Sequence, residues 1–164
     1  GAAGSAAAIV RAMAKPPEDG GRGSTAARAG DDVSDGQRAR CHRLLEAVGE
    51  VVGINDEDLF DAITALSGGG PAYVFLLAEC MAQGGMDSGL PEDLARRLAN
   101  ATVAGAGELM GRSAETPESL RRNVSSPGGT TVEALDVLMG EDGLQPLISR
   151  AIAAAARRSR QMGS

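Results

Sequence analysis

A short polar segment after residue 124 combines residue types that can bind a small acid. Ser125-Ser126-Pro127-Gly128-Gly129-Thr130-Thr131 leads directly into an apolar stretch with helical period. The first turn of a helix exposes backbone N–H groups at its positive end, which is a ready site for a carboxylate or a phosphate. The hydroxyl of Thr131 can also exchange a hydrogen bond with a ring nitrogen. On spacing alone an ordinary joint between two helices, with Thr as the cap, is favoured over a binding site.

A second small-residue segment, Ser67-Gly68-Gly69-Gly70-Pro71-Ala72-Tyr73, also precedes an apolar stretch. Three glycines before a helix could admit a phosphate, but they equally permit a sharp turn between two tightly crossing helices. Taken alone, the structural interpretation is again favoured.

A third segment, Gly21-Arg22-Gly23-Ser24-Thr25-Ala26, matches the dinucleotide fingerprint G-x-G-x-x-G/A as a string. The fingerprint works only with a buried strand before it and a long helix after it. Pro16-Pro17 precede this string and Asp31-Asp32 follow soon after it. We therefore predict that it does not bind a dinucleotide.

The composition excludes several classes of protein. Hydrophobic residues make up 43% of the 164 residues and aromatic residues only 2%, which favours one domain of closely packed helices. A net charge of −6 without a basic block argues against nucleic acid as a partner. Cys41, Cys80 and the single His42 cannot form a usual zinc site, so we expect no metal. The cysteines are typical of inert thiols in a reducing cytoplasm.

Membrane insertion is also not expected. The longest apolar run starts at Val74 and is broken by Glu79, far short of the ~20 residues that span a bilayer. Residues 1–8 lack both the charged region and the bulky apolar core of a signal peptide. The sequence therefore predicts a cytoplasmic protein with no membrane contact.

The elements that would position these segments are mostly helices. Residues 1–32 are rich in Gly, Ala and Pro and are predicted to be an irregular linker or a degenerate remnant, whereas residues 33–164 form a helical domain. We expect an all-α fold with at most one short strand. The predicted elements, in chain order, are a helix from Ser34 to Gly49, a strand Glu50–Ile54, a helix Asp56–Leu66 capped by Asn55, a helix from Pro71 to Gln83 stopped by Gly84-Gly85, and helices Pro91–Met110, Thr116–Asn123, Thr130 or Thr131 to Met139, and Asp142–Gln161.

Two of the predicted helices are apolar over most of their circumference. The helix from Pro91 has one stripe that includes Leu94, Leu98 and Leu109 and a neighbouring stripe that includes Ala95 and Ala99. A helix that is apolar nearly all round must be buried on most sides. A single domain of this size offers few places to bury two such helices, so a second copy of the chain is expected to cover them. The sequence predicts a helical homodimer.

Both small-residue segments and the helices between them resemble one known family. From about Val33 to Met162 the chain is similar to the C-terminal domain of pyrroline-5-carboxylate reductase, which makes proline from a cyclic imine. The matching pieces are Leu44-Leu45-Glu46-Ala47-Val48-Gly49, Asp61-Ala62-Ile63-Thr64-Ala65-Leu66-Ser67, Gly89-Leu90-Pro91 and the stretch from Asn123 to Leu135. The resemblance implies an all-helical, intertwined dimerisation domain.

The resemblance also implies roles for single residues. Backbone groups of the segment from Val124 to Thr131, at Ser126, Gly129 and Thr130 in particular, would hold the substrate carboxylate. As the catalytic residue, Thr131 would meet the imine nitrogen with its hydroxyl. Asn123 and Glu57 match positions that touch the nicotinamide cofactor, NADP or NAD in this family. The remaining partners implied are a second copy of the chain and a proline-like small molecule.

The chain departs from the family pattern ahead of Val33. Nearly all of the nucleotide-binding domain expected there is missing, and Gly23–Arg28 is too polar and small to predict the family's edge strand with assurance. We therefore expect the chain by itself to bind neither NADP nor NAD and to be inactive as a reductase. The alternative is a non-catalytic helical homodimerisation module derived from the same family.

Overall fold

The structure is a computed structural model that describes residues 8–15, 23–47 and 49–163. It is divided into two compact units. The first contains Gly1–Gly69 and Ile152–Ser164, and the second contains Gly70–Ala151.

The first unit contains a small sheet. Strands β1 (Val10–Lys15), β2 (Gly23–Ala29) and β3 (Gly49–Gly53) follow one another in the order β1-β2-β3. The pair β1–β2 is antiparallel, with Val10 opposite Ala29, and the pair β2–β3 is parallel. Because β2 is the central strand, it is paired on both edges, and its residues Thr25 and Ala26 are buried.

This sheet corrects the expectation of an irregular N-terminal segment with at most one strand. The single predicted strand, Glu50–Ile54, corresponds to β3, but β1 and β2 lie within residues 1–32. Strand formation depends on pairing with neighbours and on burial more than on the residues themselves, so small residues such as Ala26 and Ala27 fit a central strand. The rest of that expectation, for residues 1–7 and 16–22, lies outside the described residues. The helical fold class itself is confirmed.

Helix α1 (Asp35–Glu46) begins as its sequence predicts. The Ser34 side chain accepts from the backbone N–H of Gln37, and the Gln37 side chain accepts from the backbone N–H of Ser34, which completes a capping box. The helix ends before the predicted Gly49, which has φ 148° and begins β3 instead.

The next helical segment changes its winding twice. A 3₁₀ turn (Glu57–Leu59) is followed by α2 (Phe60–Ile63) and by a π-helical turn (Thr64–Gly68). The prediction that Asn55 is the N-cap of this segment is wrong by one residue. It is Asp56 whose Oδ1 accepts from the backbone N–H of Asp58 at 2.9 Å.

Helix α3 (Gly70–Asp87) follows with only Gly69 between it and the π-helical turn. Glu57–Asp87 is the one helical run, among the residues described, that is long and apolar enough to cross a membrane. This is weak evidence for a membrane span, because a core helix of a soluble protein meets the same test.

In the second unit, α3 packs against α4 (Glu92–Arg112). The contact is built from small residues, and Ala82, Ala95 and Ala99 are all buried. The prediction that Gly84-Gly85 stops α3 is wrong, since the helix runs four residues beyond Gln83 to Asp87. A Cβ at Gly85 would lie 3.3 Å from Cδ1 of Leu90 and 3.4 Å from the Cβ of Ala95, so Gly85 is a helical residue that faces the start of α4.

Three further helices complete the chain. They are α5 (Pro117–Asn123), α6 (Thr130–Leu138) and α7 (Leu144–Gly163). Thr116 caps α5 as predicted, because its side chain accepts from the backbone N–H of Ser119. The residue that caps α6 is Gly129, so the prediction of Thr130 or Thr131 is wrong by one or two positions.

Candidate functional site

The joint between α5 and α6 brings together most of the predicted site residues. Asn123 is the last residue of α5 and Val124 follows it as the C-cap. Ser126 lies in the connecting loop, whereas Gly129 precedes α6 and Thr130 begins it. The stretch is held to the end of α5 by the hydroxyl of Ser125, which donates to the Arg121 carbonyl at 2.6 Å.

Two glycines determine the backbone conformation of the loop before α6. Gly128 has φ +70°, a conformation that side chains with a Cβ rarely adopt. Gly129 donates its N–H to the Ser126 carbonyl at 2.9 Å, and a Cβ at Gly129 would lie 3.0 Å from that same oxygen. The loop therefore requires a glycine at the first position and favours one at the second.

The N-terminus of α6 is open to a ligand. Gly129 is the N-cap and contributes no side-chain hydrogen bond. The N–H groups of the first helical turn, which include those of Thr130 and Thr131, have no intrahelical acceptor in an α-helix and carry its positive dipole end. Both threonine side chains are exposed. This arrangement can bind a small carboxylate through backbone N–H groups and place the Thr131 hydroxyl beside it.

The side chain of Asn123 has partners that the sequence analysis missed. Its Nδ2 donates to Oε2 of Glu115 at 2.9 Å, and the hydroxyl of Ser119 donates to the same oxygen at 2.9 Å. The available signal was the spacing of four residues between Glu115, Ser119 and Asn123, which places side chains on one side of a helix.

Glu57 lies in the first unit, apart along the chain from the other predicted site residues. Its carboxylate pairs with Arg11 at 2.5 Å and with Arg28 at 3.6 Å. Arg28 also donates to the Asn55 carbonyl at 3.2 Å, and the Arg11 guanidinium lies 4.5 Å from the centre of the Phe60 ring. The Glu57 carboxylate thus links strands β1 and β2, in which Arg11 and Arg28 lie opposite each other, to the start of the 3₁₀ turn. No pattern in the sequence indicated either arginine as its partner.

The described parts of the other two small-residue segments form no phosphate loop. Ser67–Tyr73 is helical apart from Gly69, which itself has right-handed helical dihedral angles. Neither of the two alternatives, a phosphate-binding loop or a sharp turn, is present there. In the string Gly21–Ala26, the residues from Gly23 onward belong to β2, and the first two lie outside the described residues. Among the described residues there is no group of three or more His, Cys, Asp and Glu side chains that could hold a metal ion.

An uncovered apolar surface runs over α3 and α4, which we call the α3–α4 apolar surface. Although their alanines are buried between them, the large side chains of both helices remain open, with Phe75 62% and Leu98 50% exposed. The exposed members are Val74, Phe75, Leu76, Leu77, Met81, Leu94, Leu98, Leu109 and Met110. Soluble monomers rarely leave so many neighbouring large apolar residues in water, and such surfaces mark association sites. The fold and this surface together define a helical association domain.

Comparison with known proteins identifies the family to which this domain belongs. The family described as pyrroline-5-carboxylate reductase dimerisation matches residues 57–162. The chain therefore belongs to the pyrroline-5-carboxylate reductase dimerisation family, as the sequence predicted.

Individual relatives agree with the family match. A pyrroline-5-carboxylate reductase of Synechocystis is 43% identical over 156 residues, which cover 95% of this chain and 58% of the relative. The corresponding enzyme of Arabidopsis thaliana is 37% identical over 94% of this chain and 55% of its own length.

Solved structures show the same fold. A pyrroline-5-carboxylate reductase from Coxiella burnetii has a TM-score of 0.87 and 36% identity, over 96% of this chain and 58% of its own. A Plasmodium falciparum pyrroline carboxylate reductase with NADP bound has a TM-score of 0.79 and 31% identity, over 98% of this chain and 61% of its own. The chain thus spans little more than half the length of the relatives it matches.

Proposed function

We propose that this chain is the dimerisation and substrate-binding part of a pyrroline-5-carboxylate reductase, which reduces 1-pyrroline-5-carboxylate to proline with NADPH or NADH. The observation that carries the proposal is the open N-terminus of α6, where Gly128 and Gly129 lead into exposed Thr130 and Thr131. Membership of the family supports it.

In this proposal the loop places the substrate by its acid group. The carboxylate of the cyclic imine accepts from backbone N–H groups of the segment from Val124 to Thr131, chiefly those of Ser126 and Thr130, and Gly129 shapes this segment because its own N–H donates to the Ser126 carbonyl. Helix α6 adds the attraction of its positive end. The Thr131 hydroxyl then donates to the ring nitrogen, which gains a proton as the imine carbon is reduced. These groups orient the substrate and favour the developing charge, and no strong side-chain base is required.

The nicotinamide cofactor supplies the hydride when it is bound. Asn123 fits a position beside such a cofactor, because it is exposed and its carboxamide oxygen is not engaged by Glu115. Glu57 fits less directly, because its carboxylate already pairs with Arg11 and Arg28. The NADP-bound relative supports a dinucleotide in the family. We propose that the 164-residue chain alone binds neither NADP nor NAD and has no reductase activity.

The proposed assembly is a homodimer through the α3–α4 apolar surface. The dimerisation family and the exposure of that surface support it. We place the protein in the cytoplasm, with no nucleic acid or membrane as a partner.

Turnover is the direct test of the inactivity of this chain. The purified chain is mixed with NADPH and 1-pyrroline-5-carboxylate, and the absorbance of the reduced cofactor is followed. We expect no consumption above a blank without protein. A reaction rate proportional to the concentration of the chain would refute this part of the proposal.

Proline titration tests the substrate loop separately. We expect weak binding of proline to shift the backbone amide signals from Val124 to Thr131 in ¹H–¹⁵N NMR spectra. Thr131→Val, which keeps the shape but removes the hydroxyl, should weaken binding by about tenfold, as expected for the loss of one hydrogen bond. Thr131→Ser keeps the hydroxyl and should bind within about threefold of the wild type. Shifts that are absent from this segment would contradict the proposed site.

The second candidate function is a homodimerisation module without catalysis or ligand. It is favoured by the α3–α4 apolar surface, which accounts for association without any use of the α5–α6 loop. A stable dimer in which saturating proline shifts no signal between Val124 and Thr131 would select this alternative.

A further inference from the structure

We propose that Glu115 is a positioning residue, which fixes the Asn123 side chain so that its carboxamide oxygen is presented to a ligand as a hydrogen-bond acceptor. The inference rests on the proposed contact of Asn123 with a nicotinamide cofactor and adds the residue that sets its orientation. The observation behind it is that two side chains donate hydrogen bonds to the same carboxylate oxygen. Oε2 of Glu115 accepts from Oγ of Ser119 and from Nδ2 of Asn123, each at 2.9 Å.

Glu115 is fixed by contacts of its backbone as well as of its side chain. Glu115, Ser119 and Asn123 are four residues apart, so they follow one side of α5 and of the turn before it. The backbone N–H of Glu115 donates to Oγ of Ser113 at 3.0 Å, which fixes the residue before the helix begins. The backbone N–H of Ser119 donates to the Thr116 hydroxyl at 3.2 Å, which orders the first turn between them. Glu115 is therefore anchored through its backbone as well as through its two side-chain partners.

The chemistry of the two groups decides the orientation of the amide. An ionised carboxylate only accepts hydrogen bonds, whereas a carboxamide has one donor end and one acceptor end. Asn123 must turn its NH₂ group toward Glu115, because the reverse orientation would set two acceptor oxygens against each other. Its Oδ1 is then directed away from Glu115. That oxygen is suited to a ligand with a hydroxyl or an amide N–H, and a nicotinamide nucleotide carries both.

A purely structural role for Glu115 makes a different prediction. A carboxylate just before a helix N-terminus can stabilise the helix through its charge alone. Such a role would be lost in Glu115→Gln as well as in Glu115→Ala. The positioning role would survive in Glu115→Gln, because the carbonyl oxygen of Gln can still accept from Ser119 and Asn123.

The test measures the exchange of the Asn123 Nδ2 protons with water in ¹⁵N-labelled full chain without ligand. We expect exchange to be about tenfold faster in Glu115→Ala, which is the loss of one hydrogen bond to a charged group, and within about twofold of wild type in Glu115→Gln. The backbone amide signals of α5 report whether the helix remains folded. Wild-type exchange in Glu115→Ala, or equal acceleration in both variants, would overturn the positioning role.

A ligand measurement separates this inference from the proposed function. Reduced nicotinamide mononucleotide, which carries the ring carboxamide and the ribose hydroxyls, is added to the three proteins. Its concentration is made high enough to detect a contact that is too weak to hold NADP or NAD on the chain alone. We expect the Asn123 side-chain signals to shift in the wild type and in Glu115→Gln, and to shift about fivefold less at equal concentration in Glu115→Ala. Equal shifts in all three proteins would overturn the inference about Glu115. No shift in the wild type, with the exchange results as expected, would instead refute the cofactor contact of Asn123 in the proposed function.

Discussion

Truncation of Leu98 is expected to weaken the proposed dimer by an amount that follows from the exposure of this side chain. Leu98 is 50% exposed in a single chain, so association can still remove about half of the side chain from water. Full burial of a leucine side chain is worth about 1.5–3 kcal/mol, and half of that is about 1 kcal/mol. In a two-fold symmetric dimer the same residue is replaced on both subunits, so Leu98→Ala should cost about 2 kcal/mol, or roughly 30-fold in the dissociation constant.

Sedimentation equilibrium over a dilution series measures this dissociation constant. Arg97→Ala is the matched control, because it shortens the neighbouring residue of α4, which is also exposed but is charged. We expect the control to dissociate within about threefold of the wild type. Circular dichroism on each variant confirms that α4 is still folded. A wild-type chain that is folded and monomeric at working concentration, or a Leu98→Ala dimer as tight as the wild type, would refute the assignment of the α3–α4 apolar surface as the interface.

The remaining predictions concern two glycines and one helix cap. Gly143→Ala should lower the free energy of unfolding by about 1–3 kcal/mol in urea denaturation, because the new Cβ would lie 2.7 Å from the Leu138 carbonyl carbon. Gly107→Ala, within α4 and with no atom within 4 Å of its new Cβ, should instead raise it by about 0.5–1 kcal/mol, and equal effects of the two changes would contradict the packing described. Ser34→Ala should cost about 1 kcal/mol through loss of the capping box with Gln37, and an unchanged urea midpoint would show that this cap contributes nothing.

Local signals in the sequence predicted several element boundaries correctly. Ser34 with Gln37, Thr116 before Pro117, and Pro91 each act on residues within one turn, so their effect can be read without knowledge of the rest of the chain. The residues from Asn123 to Thr131 were likewise placed together at one joint between helices, because they are close in sequence.

Boundaries that depend on distant neighbours were not predicted. Gly84-Gly85 has the sequence of a helix stop, yet α3 continues through it to Asp87, and Gly85 lies beside Ala95 of α4, a neighbour that the local sequence does not show. Strands β1 and β2 have weak strand propensity, and they form a sheet because each supplies the hydrogen-bond partners of the other.

The sequence by itself determined the helical class, the caps of α1 and α5, the family and the loop that carries Thr131, because each of these is written in short stretches of neighbouring residues. Only the tertiary structure decided which apolar residues α3 and α4 bury between them and which arginines pair with Glu57. Side-chain partners are chosen by distance in space, and a linear pattern does not contain that distance until the chain has folded.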